Sequence, residues 1–85
     1  MLQLYPFMDI HKWMNPIEHI RRRVFRVTQV EMAKIAGVRQ ATISRWEAGL
    51  TDPSLKHLKR IRAEARKRRL AWDDRLLLGE GSRAA

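Results

Sequence analysis

Residues 28–49, TQVEMAKIAGVRQATISRWEAG, constrain the fold most, because they specify two short helices joined by a tight turn. Thr28 is followed three residues later by Glu31, a capping-box pattern that starts a helix. We predict that this helix covers residues 29–35, where apolar side chains recur at helical spacing. Gly37 then ends it, since glycine adopts the left-handed conformation of a helix end at little cost.

A second short helix follows almost at once, over residues 39–47, and Gly49 ends it. Its Ile43 and Trp46 lie three residues apart, so both are expected to face the core, with Trp46 packing there rather than stacking on bases. Another face of this helix is then free to enter the major groove of DNA. The two helices together have the pattern of a helix-turn-helix unit.

Further helices are predicted on both sides of this unit. Asn15 before Pro16 is a typical helix start, and apolar spacing extends the first helix over residues 16–25. Ser54 caps a long, basic fourth helix, and residues 70–78 can form a short fifth. The sequence therefore predicts a compact all-α domain of four to five helices.

The chain has 85 residues, which is enough for one domain and not for two. We divide it into an apolar N-terminal segment at residues 1–15, a folded domain at residues 16–78 and a flexible tail at residues 79–85. The large apolar side chains of residues 1–14 are too many to leave exposed on a monomer, so they are expected to cover the domain or a partner.

The charge balance indicates a polyanionic partner. Eighteen Lys and Arg residues oppose nine Asp and Glu residues, for a formal charge of +9 and a pI of about 11.3. The basic run at residues 56–69 has two interpretations that the sequence leaves open: the solvated face of a long helix, or a set of contacts to phosphates that flank a DNA site.

Several classes of function are disfavoured by composition. The chain has no cysteine, and His11, His19 and His57 lie too far apart in sequence for a helical metal pair, so we predict neither metal nor cofactor. No nucleophile–base pair, carboxylate dyad or glycine loop for phosphates is visible, which argues against an enzyme. No apolar run reaches the roughly 18 residues of a membrane span, so we expect a cytoplasmic protein without membrane contact.

Residues 17–61 resemble the helix-turn-helix domain of phage repressor and Cro-type (XRE-like) regulators. The order and spacing of the matching residues agree throughout, which makes the resemblance specific. It implies a lambda-repressor-like fold and binding to double-stranded DNA. The basic fourth helix departs from the family pattern, since it is predicted to extend several residues beyond the family's usual length. The matching residues are Thr28-Gln29, Glu31, Ala33, Gly37-Val38, Thr42-Ile43-Ser44, Trp46-Glu47, Gly49 and Pro53-Ser54-Leu55.

The resemblance also implies individual DNA contacts. Gln29 matches a position that contacts a phosphate, whereas the outward positions of the second short helix face base edges. The chemistry agrees, since glutamine pairs in bidentate fashion with adenine and arginine with guanine. The predicted base-reading residues are Gln40, Ala41, Ser44 and Arg45, and the predicted backbone-contacting residues are Thr28, Gln29, Arg39, Thr42 and Lys56.

Arg22 and Glu47 match a family ion pair that ties the first helix to the end of the recognition helix. We therefore predict that this pair orients the recognition helix. One departure from the family pattern concerns the start of that helix, where Arg39 replaces the usual Ser or Thr and cannot cap it.

The function that the sequence predicts is that of a transcriptional regulator, a repressor that binds a near-palindromic operator as a homodimer. The dimer interface has two candidate locations, which are residues 1–14 and the C-terminal end. The sequence slightly favours the C-terminal end. Two alternatives remain: an antitoxin that clasps a toxin through residues 1–14, and an RNA-binding protein that uses its arginine-rich helix. The C-terminal candidates are Leu70, Trp72, Leu76, Leu77 and Leu78.

Overall fold

The computed structural model describes residues 15–78, and all of its regular structure is helical, which confirms the predicted all-α class. Helix α1 passes directly into a π-helical segment, and four further helices follow. The predicted segments 1–14 and 79–85 lie outside the described residues. The elements are α1 (Pro16–His19), the π-helical segment (Ile20–Phe25), α2 (Gln29–Ala36), α3 (Gln40–Glu47), α4 (Leu55–Lys67) and α5 (Arg75–Leu78).

Three helices begin at the capping residues that the sequence predicts. The side-chain oxygens of Asn15, Thr28 and Ser54 accept hydrogen bonds from backbone N–H groups in the first turns of α1, α2 and α4, at 2.8, 3.1 and 3.4 Å. These bonds satisfy donors that a helix start leaves without a partner. Arg39 precedes α3 without any side-chain cap, as expected.

The first helix differs from the prediction in its second half. A continuous α-helix is expected over residues 16–25, but Ile20–Phe25 is π-helical. In a π-helix the backbone hydrogen bonds join residues that are five positions apart. Ile20 and Phe25 are separated by this interval, and both are buried. The segment thereby places two large apolar side chains in the core.

A single apolar core joins the helices. Ile43 and Trp46 of α3 are buried in it, as predicted, and the corner residues Ile35 and Val38 pack against it. Small side chains at Ala33 and Ala36 let α2 pack closely against its neighbours. The buried residues are Ile17, Ile20, Phe25, Met32, Ala33, Ala36, Ile43, Trp46, Ile61 and Ala65.

The chain after α4 folds back on the same domain. Leu70, Trp72, Leu76 and Leu77 are partly buried and pack against the core. The sequence favours these residues slightly as a dimer interface, because their apolar pattern looks the same in either role. In the structure, much of their apolar surface is already covered within one chain.

Candidate nucleic-acid interface

The turn between α2 and α3 depends on Gly37, which has a φ of +77°. The N–H groups of Gly37 and Val38 both donate to the carbonyl of Ala33, at 2.8 and 2.9 Å, and so close the end of α2. A Cβ atom at Gly37 would lie 2.8 Å from Nε of Arg60 in α4. The turn is therefore tight, and α4 covers it.

Helix α3 exposes the side chains that the sequence assigns to base reading. Ile43 and Trp46 hold one side of the helix in the core. Thr42 is half-buried, and the guanidinium of Arg45 lies 3.5 Å from its hydroxyl oxygen. The side of the helix away from the core carries Gln40, Ala41, Ser44 and Arg45, all of which are exposed.

A partly buried ion pair joins the first helical element to the end of α3, and its cation is Arg21. Nε and one terminal nitrogen of Arg21 donate to the two carboxylate oxygens of Glu47, at 2.6 and 3.0 Å. The side chains are only 13% and 7% exposed. The hydrogen bond with Glu47 raises the pKa of Arg21 above its ordinary value, so the guanidinium stays charged at neutral pH.

The predicted pair between Arg22 and Glu47 is therefore wrong by one residue. Arg21 follows Ile17 by four positions and shares its buried face. Arg22 points outward with a side chain that is 55% exposed, and it lies 3.5 Å from Glu18. The prediction was right about Glu47 and about the two elements that the pair connects.

Gln29 and Gln40 extend this ion pair to the exposed surface. The amide nitrogen of Gln29 donates to Glu47 at 3.0 Å, and the amide nitrogen of Gln40 lies 3.4 Å from the carbonyl oxygen of Gln29. A carboxylate only accepts, so Glu47 orients the Gln29 amide, which in turn orients the Gln40 amide. Sequence reasoning did not find these links, since the three residues are far apart in sequence.

The predicted backbone-contacting residues lie near the starts of helices. Thr28 and Arg39 are exposed and immediately precede α2 and α3, and Lys56 is exposed in the first turn of α4. The hydroxyl of Thr28 accepts the cap bond and keeps its own proton for a second bond. Lys56 and Arg39 place their positive charges beside helix N-termini, and a helix N-terminus itself favours a bound anion such as a phosphate.

Helix α4 is packed against the end of α3 by aromatic contact. The rings of Trp46 and His57 lie 5.3 Å apart between centroids and are tilted by 52°. Nδ1 of His57 also lies 2.8 Å from the hydroxyl oxygen of Ser54. Sequence reasoning assigned no role to His57, whose contact with the core tryptophan fixes the first turn of α4.

Among residues 15–78, the structure shows no cluster of side chains that could hold a metal ion. No helix in that same part of the chain is long and apolar enough to cross a membrane. A family model described as helix-turn-helix matches residues 24–64, from the π-helical segment into α4. Comparison with curated proteins and with solved structures gave no match.

Proposed function

We propose that the chain is a repressor of the helix-turn-helix type found in phage repressors and Cro-type regulators, and that it reads a near-palindromic operator as a homodimer. The family match supports DNA binding by the helix-turn-helix unit. In the proposal, α3 enters the major groove and its exposed face meets the base edges. A regulator of this kind acts on DNA in the cytoplasm.

The orientation of Gln40 is the observation that carries the proposal. Because its amide nitrogen faces the carbonyl oxygen of Gln29, one N–H and the carbonyl oxygen of Gln40 stay available. This pair of a donor and an acceptor matches N7 and the N6 amino group of adenine in the major groove. We therefore assign Gln40 to an adenine in each half-site.

Arg45 lies five residues further along α3 and supplies the second base contact. Its contact with Thr42 is long, at 3.5 Å, and engages one of its five N–H donors, so other donors can reach O6 and N7 of a guanine. Ala41 offers a methyl group to a thymine methyl, and Ser44 a hydroxyl to either base or phosphate. These four residues form the proposed reading surface.

The contacts to the sugar–phosphate backbone come from helix starts around this surface. Thr28 and Gln29 at the start of α2, together with Arg39 and Thr42 at the start of α3, fit phosphate oxygens by charge and hydrogen bonding. Lys56 adds a cation from α4. Such contacts position the protein without selecting a sequence.

The dimer follows from how few base pairs one short helix can read. Two copies related by a two-fold axis double the number of base contacts and the specificity with it. Since the C-terminal apolar side chains pack on their own core, we place the interface at Leu50 and Leu55, which are 71% and 64% exposed. They flank the loop that follows α3, so an interface there would hold two recognition helices side by side.

Selection of bound sequences from a pool of random duplex DNA tests this function. We expect an enriched site with two-fold related halves whose centres are about one helical turn, or 10 base pairs, apart or a multiple of that distance. A pool that shows no enrichment, while the folded protein binds all duplexes equally, would contradict sequence-specific regulation.

A further inference from the structure

The C-terminal ends of two helical elements meet on one side of the domain. The guanidinium of Arg68, after α4, lies 5.6 Å from the ring centroid of Phe25, at the end of the π-helical segment. This contact places Arg68 beside the end of the π-helical segment, and we call the exposed basic residues at these two helix ends the arginine patch. Its exposed members are Arg22, Arg23, Arg26, Arg66, Lys67, Arg68 and Arg69.

The arginine patch keeps a positive charge after its carboxylate neighbours are counted. Glu18 lies 3.5 Å from Arg22, and Glu64 lies 2.8 Å from Arg68. Asp74 is close enough to Arg66 for that cation to lower the pKa of its carboxyl group, although its nearest partners are elsewhere. Within the described part of the chain, the cations of the patch outnumber these three carboxylates, and a surface of this sign attracts polyanions.

Arg26 and Arg69 occupy backbone positions that suit glycine better. Both have a φ of +59°, a left-handed conformation that is costly for most side chains and nearly free for glycine. Gly37 and Gly49 hold the equivalent positions at the ends of α2 and α3. The domain therefore uses glycine at the left-handed positions beside the proposed recognition helix and arginine at those in the patch. Since glycine would end a helix at lower cost, the need to end a helix does not explain the two arginines.

The part of the patch at the end of the π-helical segment adjoins the proposed DNA surface, because Arg26 lies two residues before Thr28, a proposed phosphate contact. Val27, Arg22, Arg23 and Arg26 line one shallow depression, and the Val27 carbonyl accepts a hydrogen bond from Arg21 at 3.1 Å. Arg21 holds Glu47, which in turn holds Gln29, a proposed phosphate contact. We propose that the arginine patch binds phosphates of duplex DNA that flank the base-reading site, an inference that rests on the proposed function.

The test replaces both left-handed arginines and measures the salt dependence of DNA binding. The variant Arg26→Gly with Arg69→Gly is compared with Arg26→Lys with Arg69→Lys, which keeps both charges, on a random-sequence duplex of about 40 base pairs, long enough for flanking contacts. Each lost phosphate contact should make the slope of log affinity against log salt shallower by about 0.9. When the salt concentration is raised from 50 to 200 mM, DNA affinity falls for both proteins. The factor by which it falls should be about twelvefold smaller for the glycine variant than for the parent.

Thermal unfolding separates a binding role from a structural one. The glycine variant should unfold at the same temperature as the parent or higher, because glycine relieves the left-handed backbone. A lower unfolding temperature together with an unchanged salt slope would show a structural role and overturn the proposal. The lysine variant should keep the slope of the parent.

The outcomes also distinguish the patch from the regulator function. An unchanged slope in the glycine variant overturns the arginine patch even when selection still yields an operator. A shallower slope without any selected operator supports the patch as a DNA contact and contradicts the regulator. Tighter binding of the parent to a single-stranded RNA of about 40 nucleotides, lost in the glycine variant, overturns the choice of DNA as its ligand.

Discussion

Nε of Arg21 lies 2.6 Å from Oε2 of Glu47, and this contact fixes the last residue of α3 to the first helical element. A second nitrogen of the guanidinium reaches the other carboxylate oxygen, and a third reaches the Val27 carbonyl. A bidentate pair of this kind defines an orientation as well as a distance. The tilt of α3, the proposed recognition helix, therefore depends on two residues that need not touch DNA.

Removing either member of this pair should lower both stability and DNA affinity. Arg21→Met leaves the partly buried Glu47 carboxylate without its cation, and Glu47→Ala leaves the guanidinium with the Val27 carbonyl but without its carboxylate partner. We expect each change to reduce the free energy of unfolding by about 2–3 kcal/mol, somewhat less than for a fully buried pair. Urea unfolding of both single variants and the double variant measures the coupling between them.

The matched control for this experiment is Arg22→Met. Arg22 is exposed and pairs with Glu18 one turn away, so its loss should cost less than about 0.5 kcal/mol. If the double variant were as unstable as the sum of the two single variants predicts, Arg21 and Glu47 would not be coupled, and the account of α3 would be wrong.

Gly37→Ala should destabilise the fold more than Gly49→Ala. Both glycines have a φ of +77°, so alanine should cost about 1 kcal/mol at either position. Only at Gly37 would the new Cβ also displace the guanidinium of Arg60, since a Cβ at Gly49 would have no neighbour within 4 Å among the described residues, its chain neighbours aside. Urea unfolding should show a difference in the free energy of unfolding between the two variants, and this difference should disappear when Arg60 is also replaced by alanine. A Gly37→Ala variant as stable as the parent would contradict this description of the turn.

Leu55→Asp and Leu77→Asp should separate the dimer interface from the core. Leu77 packs against the core, so an aspartate there should lower the free energy of unfolding by about 2 kcal/mol. Leu55 is exposed, so the same change should leave the monomer within about 0.5 kcal/mol of the parent and weaken the dimer. Sedimentation and urea unfolding measure the two effects.

A different result would move the interface. If Leu77→Asp dissociates the dimer without a loss of stability while Leu55→Asp has no effect, the interface lies at the C-terminal end. That is the location which the apolar pattern of the sequence favours.

Acid should release the link between Asp74 and Trp72. The indole N–H of Trp72 donates to Asp74 at 3.0 Å and, with Arg62, lowers the pKa of the Asp74 carboxyl below its ordinary value of 3.8. Because the pKa is lowered in the folded state, the ionised Asp74 carboxylate stabilises the fold above pH 3.8. This stabilisation is lost as the pH falls through the folded-state pKa. The NMR signal of the Trp72 indole proton should therefore shift with a midpoint below 3.8.

Two variants identify the group that titrates. Asp74→Asn should abolish the shift of the indole signal, whereas Asp73→Asn should leave it, because Asp73 is bound to Arg75 instead. That contact lowers the pKa of Asp73 to about 2. A midpoint for the indole signal at the ordinary aspartate value would show that the Asp74 contact is absent in solution.

The parts of the fold that the sequence predicts are those specified by local signals. Asn15, Thr28 and Ser54 accept bonds from residues two or three positions ahead, and Gly37 and Gly49 end helices through their own backbone conformation. These effects act within one helical turn, so a single sequence displays them. The starts of α1, α2 and α4 were predicted for that reason.

The parts that the sequence did not predict depend on tertiary packing. Arg21 and Arg22 are identical neighbours in a run of arginines, and only their placement around the helical segment decides which one meets Glu47. The apolar residues after α4 likewise have the same pattern whether they pack on their own core or on a second chain. The contacts of Gln29 with Glu47 and Gln40 span 18 and 11 residues and have no local signature.

Binding-site selection with Gln40→Ala and with Arg45→Ala, run in parallel with the parent, tests most directly whether α3 reads bases. We predict that the parent selects adenine and guanine at two positions of each half-site. Each variant should lose preference at one of them, at a cost of about 1–3 kcal/mol on the parental site. An unchanged base preference in both variants would contradict the assignment of α3 as the reading helix.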